Sequence, residues 1–172
     1  MRSILAASFG FAAFVIASRV LGAQAPVPVA DFARFVGTWE LDTSGNASTS
    51  PERRVITVSP EGMRIEIQRA EDARPPVLIY RFDGKDAVNA FGSGKATSRL
   101  LRESGTIVTE TIYEIRESPM TMREVLSLNA DGTEMSVTST IRVEHGYQGR
   151  LPAGESKPPN VSTAITVFRK RQ

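Results

Sequence analysis

From Thr38 onward, apolar side chains return at every second position in short blocks bounded by Gly, Pro, Asn, Asp and Ser, the pattern of strands with one buried face. Met63, Ile65 and Ile67 alternate with Arg64, Glu66 and Gln68. Met135, Val137, Ile141 and Val143 alternate with Ser136, Thr138, Thr140 and Arg142. The same period marks strands over 38–42, 54–58, 77–83, 97–103, 106–116, 121–128 and 162–170, which brings the set to about nine. Pro60-Glu61-Gly62, Asp83-Gly84-Lys85, Ser104-Gly105 and Asp131-Gly132 are turn sequences of the kind that join antiparallel neighbours, so consecutive strands should pair as a meander. The one helical signal is a single turn over 31–35, with Asp31 as its N-cap.

An open meander of this length exposes two edges, and rolling it into a barrel removes both. The expectation is therefore an all-β fold, an antiparallel up-and-down barrel of about 8–10 strands. A β-sandwich has similar strand spacing and is the alternative. Two irregular pieces rich in Gly, Ser and Pro, 42–53 and 145–160, are expected to be mobile loops.

The chain begins differently. Met1-Arg2-Ser3 is a short positive start, and an apolar run from Ile4 to Ala17 follows it, then small residues with Arg19. That layout is a secretory signal over 1–25, with cleavage expected between 22 and 25, and the run is short for a membrane span. Residues 26–172 then form one domain of ordinary size, periplasmic or secreted. The chain has no cysteine, which removes disulfides, thiolate chemistry and the acceptor for a lipoprotein anchor. Loss of Arg2 and Arg19 with the signal leaves 19 basic against 19 acidic residues. A balanced chain lacks the cationic surplus that nucleic-acid binding needs.

Gly37-Thr38-Trp39-Glu40-Leu41-Asp42, the central Tyr80–Ala87 segment, the hairpins at Ser104-Gly105 and Asp131-Gly132, and the closing Ile165–Gln172 together resemble the secreted bacterial lipocalin-like domains of the calycin superfamily. The resemblance covers nearly the whole mature chain. It implies that Gly37 and Trp39 open the first strand and plug one barrel end. It further implies that a basic residue of the last strand, Arg169 or Arg171, covers the indole. A cation over an indole face is physically reasonable at such a site. Intracellular fatty-acid-binding relatives hold a carboxylate with an Arg-x-Tyr pair on their final strand. Thr166 and Phe168 stand at the corresponding positions here, so that clamp is missing.

The remaining chemistry is sparse. His145 is the only histidine and makes no metal cluster. Gly92-Ser93-Gly94-Lys95 lacks the leading glycine of a phosphate loop, and Ser93 lacks the glycine spacing of a nucleophile elbow. Glu110 and Glu114 share one strand face about 13 Å apart, too far to act on one bond, and read as part of a solvated outer surface. The sequons at Asn46 and Asn160 carry no assigned role. The opposite face of that strand, Ile107, Thr109, Thr111, Tyr113 and Ile115, mixes apolar groups with hydroxyls as a pocket wall does. Together with Phe168, the last four of these are the candidate ligand contacts. The expected role is binding of a small hydrophobic or amphiphilic molecule without cofactor, metal or catalytic residues. A filled barrel serving as an interaction module is the alternative, and an enzyme on the same barrel is the less favoured one.

Overall fold

One antiparallel sheet of ten strands makes up the protein in a computed structural model that describes residues 30–44, 50–91, 94–103, 106–115, 118–143 and 159–171. Residues 1–29, which hold the expected signal segment, and Asn46, Gly92-Ser93, Ser104-Gly105, Arg116, His145 and most of 145–160 lie outside the described residues. A one-turn helix α1 (Ala30–Ala33) precedes β1 (Gly37–Leu41), β2 (Glu52–Ser59), β3 (Gly62–Arg69), β4 (Val77–Arg81) and β5 (Ala87–Phe91). The chain continues through β6 (Gly94–Glu103), β7 (Thr106–Ile115), β8 (Ser118–Leu128), β9 (Glu134–Val143) and β10 (Asn160–Lys170).

The spatial order is β4-β3-β2-β1-β10-β9-β8-β7-β6-β5, so sequence neighbours pair throughout and β10 returns to β1. The expected meander is present, and its two ends, β4 and β5, lie side by side. Among the described residues no backbone ladder joins them. A side chain bridges the seam instead. Asn89 accepts the Ile79 N–H at 2.9 Å and donates to the Ile79 carbonyl at 3.2 Å, imitating one ladder pair. The sheet is thus a nearly closed barrel rather than a sandwich.

Strand β5 is the element that periodicity misses. In Ala87-Val88-Asn89-Ala90-Phe91 the polar Asn89 is buried and Val88 is 69% exposed, an inversion of the usual alternation. Elsewhere the inward parity follows the pattern. Ile56 stands opposite Gly37 and Ile65, Leu126 opposite Ile107 and Val137, and Met135 opposite Phe168.

One end of the barrel is shut by aromatic rings. Phe32 on α1 and Phe35 in the turn after it enter the core, with the Phe32 ring 4.7 Å from that of Phe82. Trp39 is fully buried and its Nε1 donates to the Phe35 carbonyl at 2.8 Å, so the indole satisfies its one polar group.

The cation over the indole is Lys170, with Nζ 5.2 Å from the ring centroid, and not Arg169 or Arg171. Trp39 pairs in register with Lys170, and adjacent strand residues face opposite ways. Arg169 therefore points outward to Asp42 at 2.8 Å, and Arg171 reaches Glu40 at 2.8 Å. The Ser44 hydroxyl and Arg169 hold the half-buried Asp42 carboxyl at about 2, below its ordinary value. Gly37 has φ 140°, and a Cβ there would stand 2.9 Å from Lys170 Cε. The backbone conformation favours glycine, and any larger residue would also have to move the flexible end of Lys170.

Trp39→Ala is expected to lower stability by about 3–5 kcal/mol in denaturant melts, the cost of emptying a large aromatic site. Lys170→Met should cost about 1 kcal/mol or less, and the exposed Arg169→Ala about the same or less. A Trp39→Ala effect no larger than these two would remove the indole from its role as plug.

Candidate functional site

Inward parity carries polar side chains as well as apolar ones, and they gather at mid-height. Counting back along β2 from Val58 and Ile56 gives Arg54 and Glu52. Counting back along β8 from Leu128 and Leu126 gives Glu124. Glu124 is the cross-strand partner of Thr109 on β7 and of Ser139 on β9. The barrel brings these distant residues together. Arg54 Nη2 donates to Glu124 Oε1 at 3.1 Å, Arg54 Nε to Glu52 Oε1 at 2.9 Å, and Ser139 Oγ to Glu124 Oε1 at 3.1 Å. Arg69, towards the rim, closes the chain on Glu52 at 2.9 Å.

Arg54 is 6% exposed and Glu124 2% exposed, so this is a desolvated ion pair. Burial disfavours the Arg54 cation, but Glu124 and Glu52 outweigh it and hold the guanidinium well above its ordinary pKa. Burial likewise works against ionised Glu52, and the charges of Arg54 and Arg69 more than offset it, leaving that pKa lowered. The guanidinium lies over the Phe168 ring, 4.8 Å from its centroid. Its Nη1 is buried and has no hydrogen-bond partner among the described residues.

A second polar chain runs from the seam into the same region. Asn89 Nδ2 donates to Ser98 Oγ at 3.1 Å, Ser98 and Thr111 hydroxyls share a bond of 3.0 Å, and Thr111 meets the Tyr80 hydroxyl at 3.2 Å. Burial, reinforced by the Glu124 charge, pushes the Tyr80 hydroxyl up to about 12. Burial and the neighbouring Tyr80 also raise Tyr113. Both phenols stay protonated at neutral pH.

Of the expected wall residues, Thr109, Thr111 and Tyr113 are buried on the inner parity, 1–3% exposed. Ile115 continues β7, and its side chain lies outside the described residues. Phe168 is fully buried as the surface under Arg54. Glu110 stands opposite Arg99 and Arg123 on the other parity, and Glu114 is exposed, in line with a solvated outer face. The interior cation thus comes from β2, not from Thr166 or Phe168 on the last strand. Sequence reading passed over Arg54, Glu52, Glu124, Tyr80, Ser98 and Asn89. For Arg54 and Glu124 the usable signal was parity counted from the flanking apolar residues.

Two clefts lie nearby, one at the rim and one on the outer face of the seam. One of about 520 Å³ at the rim is lined by Leu41, Pro51, Glu52, Gln68 and Arg69 among others, so the outer end of the Arg54 relay reaches it. Another of about 670 Å³ follows the seam along Pro75, Pro76, Val77, Ile79 and Val88. Among the described residues no three His, Asp or Glu side chains group as a metal site, and no helix is long and apolar enough to cross a membrane. What the interior offers is fixed hydrogen-bond donors beside apolar surface, an arrangement suited to holding a molecule.

A nearly closed antiparallel barrel with one plugged end and a mixed interior has the fold of the lipocalin-like and fatty-acid-binding barrels. Solved structures agree. A secretary abundant heat soluble protein from Ramazzottius varieornatus matches with a TM-score of 0.54 at 10% identity, over 80% of this chain and 96% of its own. A fatty acid binding protein of Schistosoma mansoni, in complex with arachidonic acid, matches with a TM-score of 0.53 at 14% identity, over 83% and 99%. Apo lipid binding protein 8 of Caenorhabditis elegans matches with a TM-score of 0.53 at 13% identity, over 80% and 96%. At these identities the likeness is one of fold. No family model matches the chain, and no curated protein matches it in sequence.

Arg54→Met should cost about 3–5 kcal/mol in denaturant melts, because Glu124 is left buried without its cation. Glu124→Gln should cost about 1–3 kcal/mol, since Glu52 still neutralises Arg54. The double variant Arg54→Met/Glu124→Leu should be less destabilised than the sum of Arg54→Met and Glu124→Leu made singly. Additive effects would mean that the pair is not coupled.

Proposed function

We propose that the chain is an exported barrel protein that binds one small, partly apolar molecule in its interior. The observation that carries this reading is the buried, unpartnered Nη1 of Arg54, set at mid-barrel beside the Thr109, Thr111 and Tyr113 face and above Phe168. A buried donor left without an acceptor costs free energy, and a ligand that supplies the acceptor recovers it. Apolar side chains around it accommodate the rest of such a molecule, and the rim cleft at Glu52 and Arg69 is the natural approach. The fold likeness to a fatty acid binding protein and a lipid binding protein supports the same reading. Export rests on the positive start and apolar run of residues 1–25.

The lipophilic dye Nile red and crude lipid extracts should bind the protein with about micromolar affinity. At a hundredfold excess over Kd a ligand should stabilise the native state by about 2.7 kcal/mol, visible as a rise in Tm. Tyr113→Ala should weaken that rise and Glu114→Ala should leave it intact, because the two face opposite ways. If no component of a broad extract moves the melt, a filled barrel acting through its outer surface replaces this reading. Mass spectrometry of protein secreted with its own leader should find an N-terminus between Ala23 and Pro26. An intact Met1 in exported material would sink the export assignment.

A further inference from the structure

The charges around Arg54 constrain what the interior takes. Among the described residues, the charged groups joined in this chain on the inner parity are Arg54 and Arg69 against Glu52 and Glu124. Two cations face two anions. Arg54 has a carboxylate on Nε at 2.9 Å and another on Nη2 at 3.1 Å, so its positive charge is already compensated while Nη1 remains a hydrogen-bond donor. A ligand carboxylate brought to the buried Nη1 would add a third anion beside the partly buried Glu52 and the buried Glu124. Like charges at that depth repel with little screening. A neutral oxygen acceptor takes the same N–H without that cost.

We propose that the head group bound at Arg54 is an uncharged oxygen acceptor, a ketone, ester, lactone or amide carbonyl, and that the preferred ligands are neutral amphiphiles rather than ionised fatty acids. This rests on the reading that the barrel holds a small molecule. The polar chain next to it has the matching chemistry. Burial holds Tyr80 and Tyr113 protonated, with the Glu124 charge adding to it, so both phenols stay uncharged beside the site. Glu124 is the residue that sets the selection. It neutralises Arg54 from across the barrel, and its replacement by a neutral isostere leaves the site one negative charge short.

The test uses the full exported chain at pH 8 and measures displacement of Nile red by four probes with similar tails: methyl dodecanoate, 2-tridecanone, dodecanoic acid and dodecane. The ester and ketone should compete at least about tenfold better than dodecanoic acid, and several-fold better than dodecane, which offers no acceptor. In Glu124→Gln the preference over dodecanoic acid should collapse or invert. The guanidinium resonances of Arg54 should shift when 2-tridecanone is added and stay in place with dodecane. Preference of the wild-type protein for dodecanoic acid, or equal competition by dodecane, overturns the head-group proposal while the barrel still counts as a binding protein. An unchanged ratio in Glu124→Gln overturns it as well. If neither Nile red nor any probe binds, the ligand-binding reading itself falls and takes this proposal with it. The wild-type ratios and the resonance shifts decide the matter should Glu124→Gln fail to fold.

Discussion

A ten-stranded meander has an interior only if its two outer strands meet, and here they meet through one amide. Asn89 gives Ile79 both halves of a ladder pair and passes its second N–H to Ser98. A direct backbone ladder would pull β4 and β5 to ordinary strand spacing of about 4.8 Å and narrow the barrel accordingly. A side-chain bridge holds the seam closed here instead. The polar chain through Ser98, Thr111 and Tyr80 starts at this bridge, so seam and interior network form one hydrogen-bonded unit. Buried networks of this kind are costly when partly satisfied, which ties the geometry of the seam to the polar middle of the barrel.

The two levels of the barrel carry different burdens. The plugged end is built from apolar packing, with Trp39, Phe32, Phe35 and Phe82 shutting it and Lys170 lying across the indole. Mid-barrel is where polarity is concentrated, in an ion pair and in the hydroxyls that continue from the seam. Replacing buried ion pairs by apolar side chains is often neutral or stabilising, so Arg54 and Glu124 are poor candidates for a purely structural purpose. Arg54 itself carries the buried Nη1, unpartnered among the described residues, so the pair does not satisfy all of its own hydrogen-bonding groups.

The contrast with the Arg-x-Tyr clamp is instructive in charge terms. A cation introduced on the last strand without nearby acids favours an anionic head group. Here the cation sits on β2 between two glutamates, and Thr166 and Phe168 take the last-strand positions. The same barrel can thus present opposite electrostatic demands to a ligand according to where its buried acids fall, which is why likeness of fold at 10–14% identity carries no ligand with it.

Much of this protein was legible in local pattern. Period-two alternation with turn residues located nine of the ten strands, because side-chain direction along a strand depends only on counting by two. The inward face of β7 was legible for the same reason. The burial of Trp39 was expected from the family resemblance of the Gly37–Trp39 opening. Strand β5 escaped because its buried position is Asn89 and its exposed one Val88, an inversion that has meaning only once β4 lies alongside. The resemblance pointed to Arg169 or Arg171 as the cation over the indole, and the register against Trp39 selects Lys170 between them. The Arg54–Glu124 pair, 70 residues apart in sequence, could not be read locally at all. Alternation says which way a side chain points, but which inward groups touch depends on register summed around the barrel and on closure at the seam, and those are properties of the tertiary structure alone.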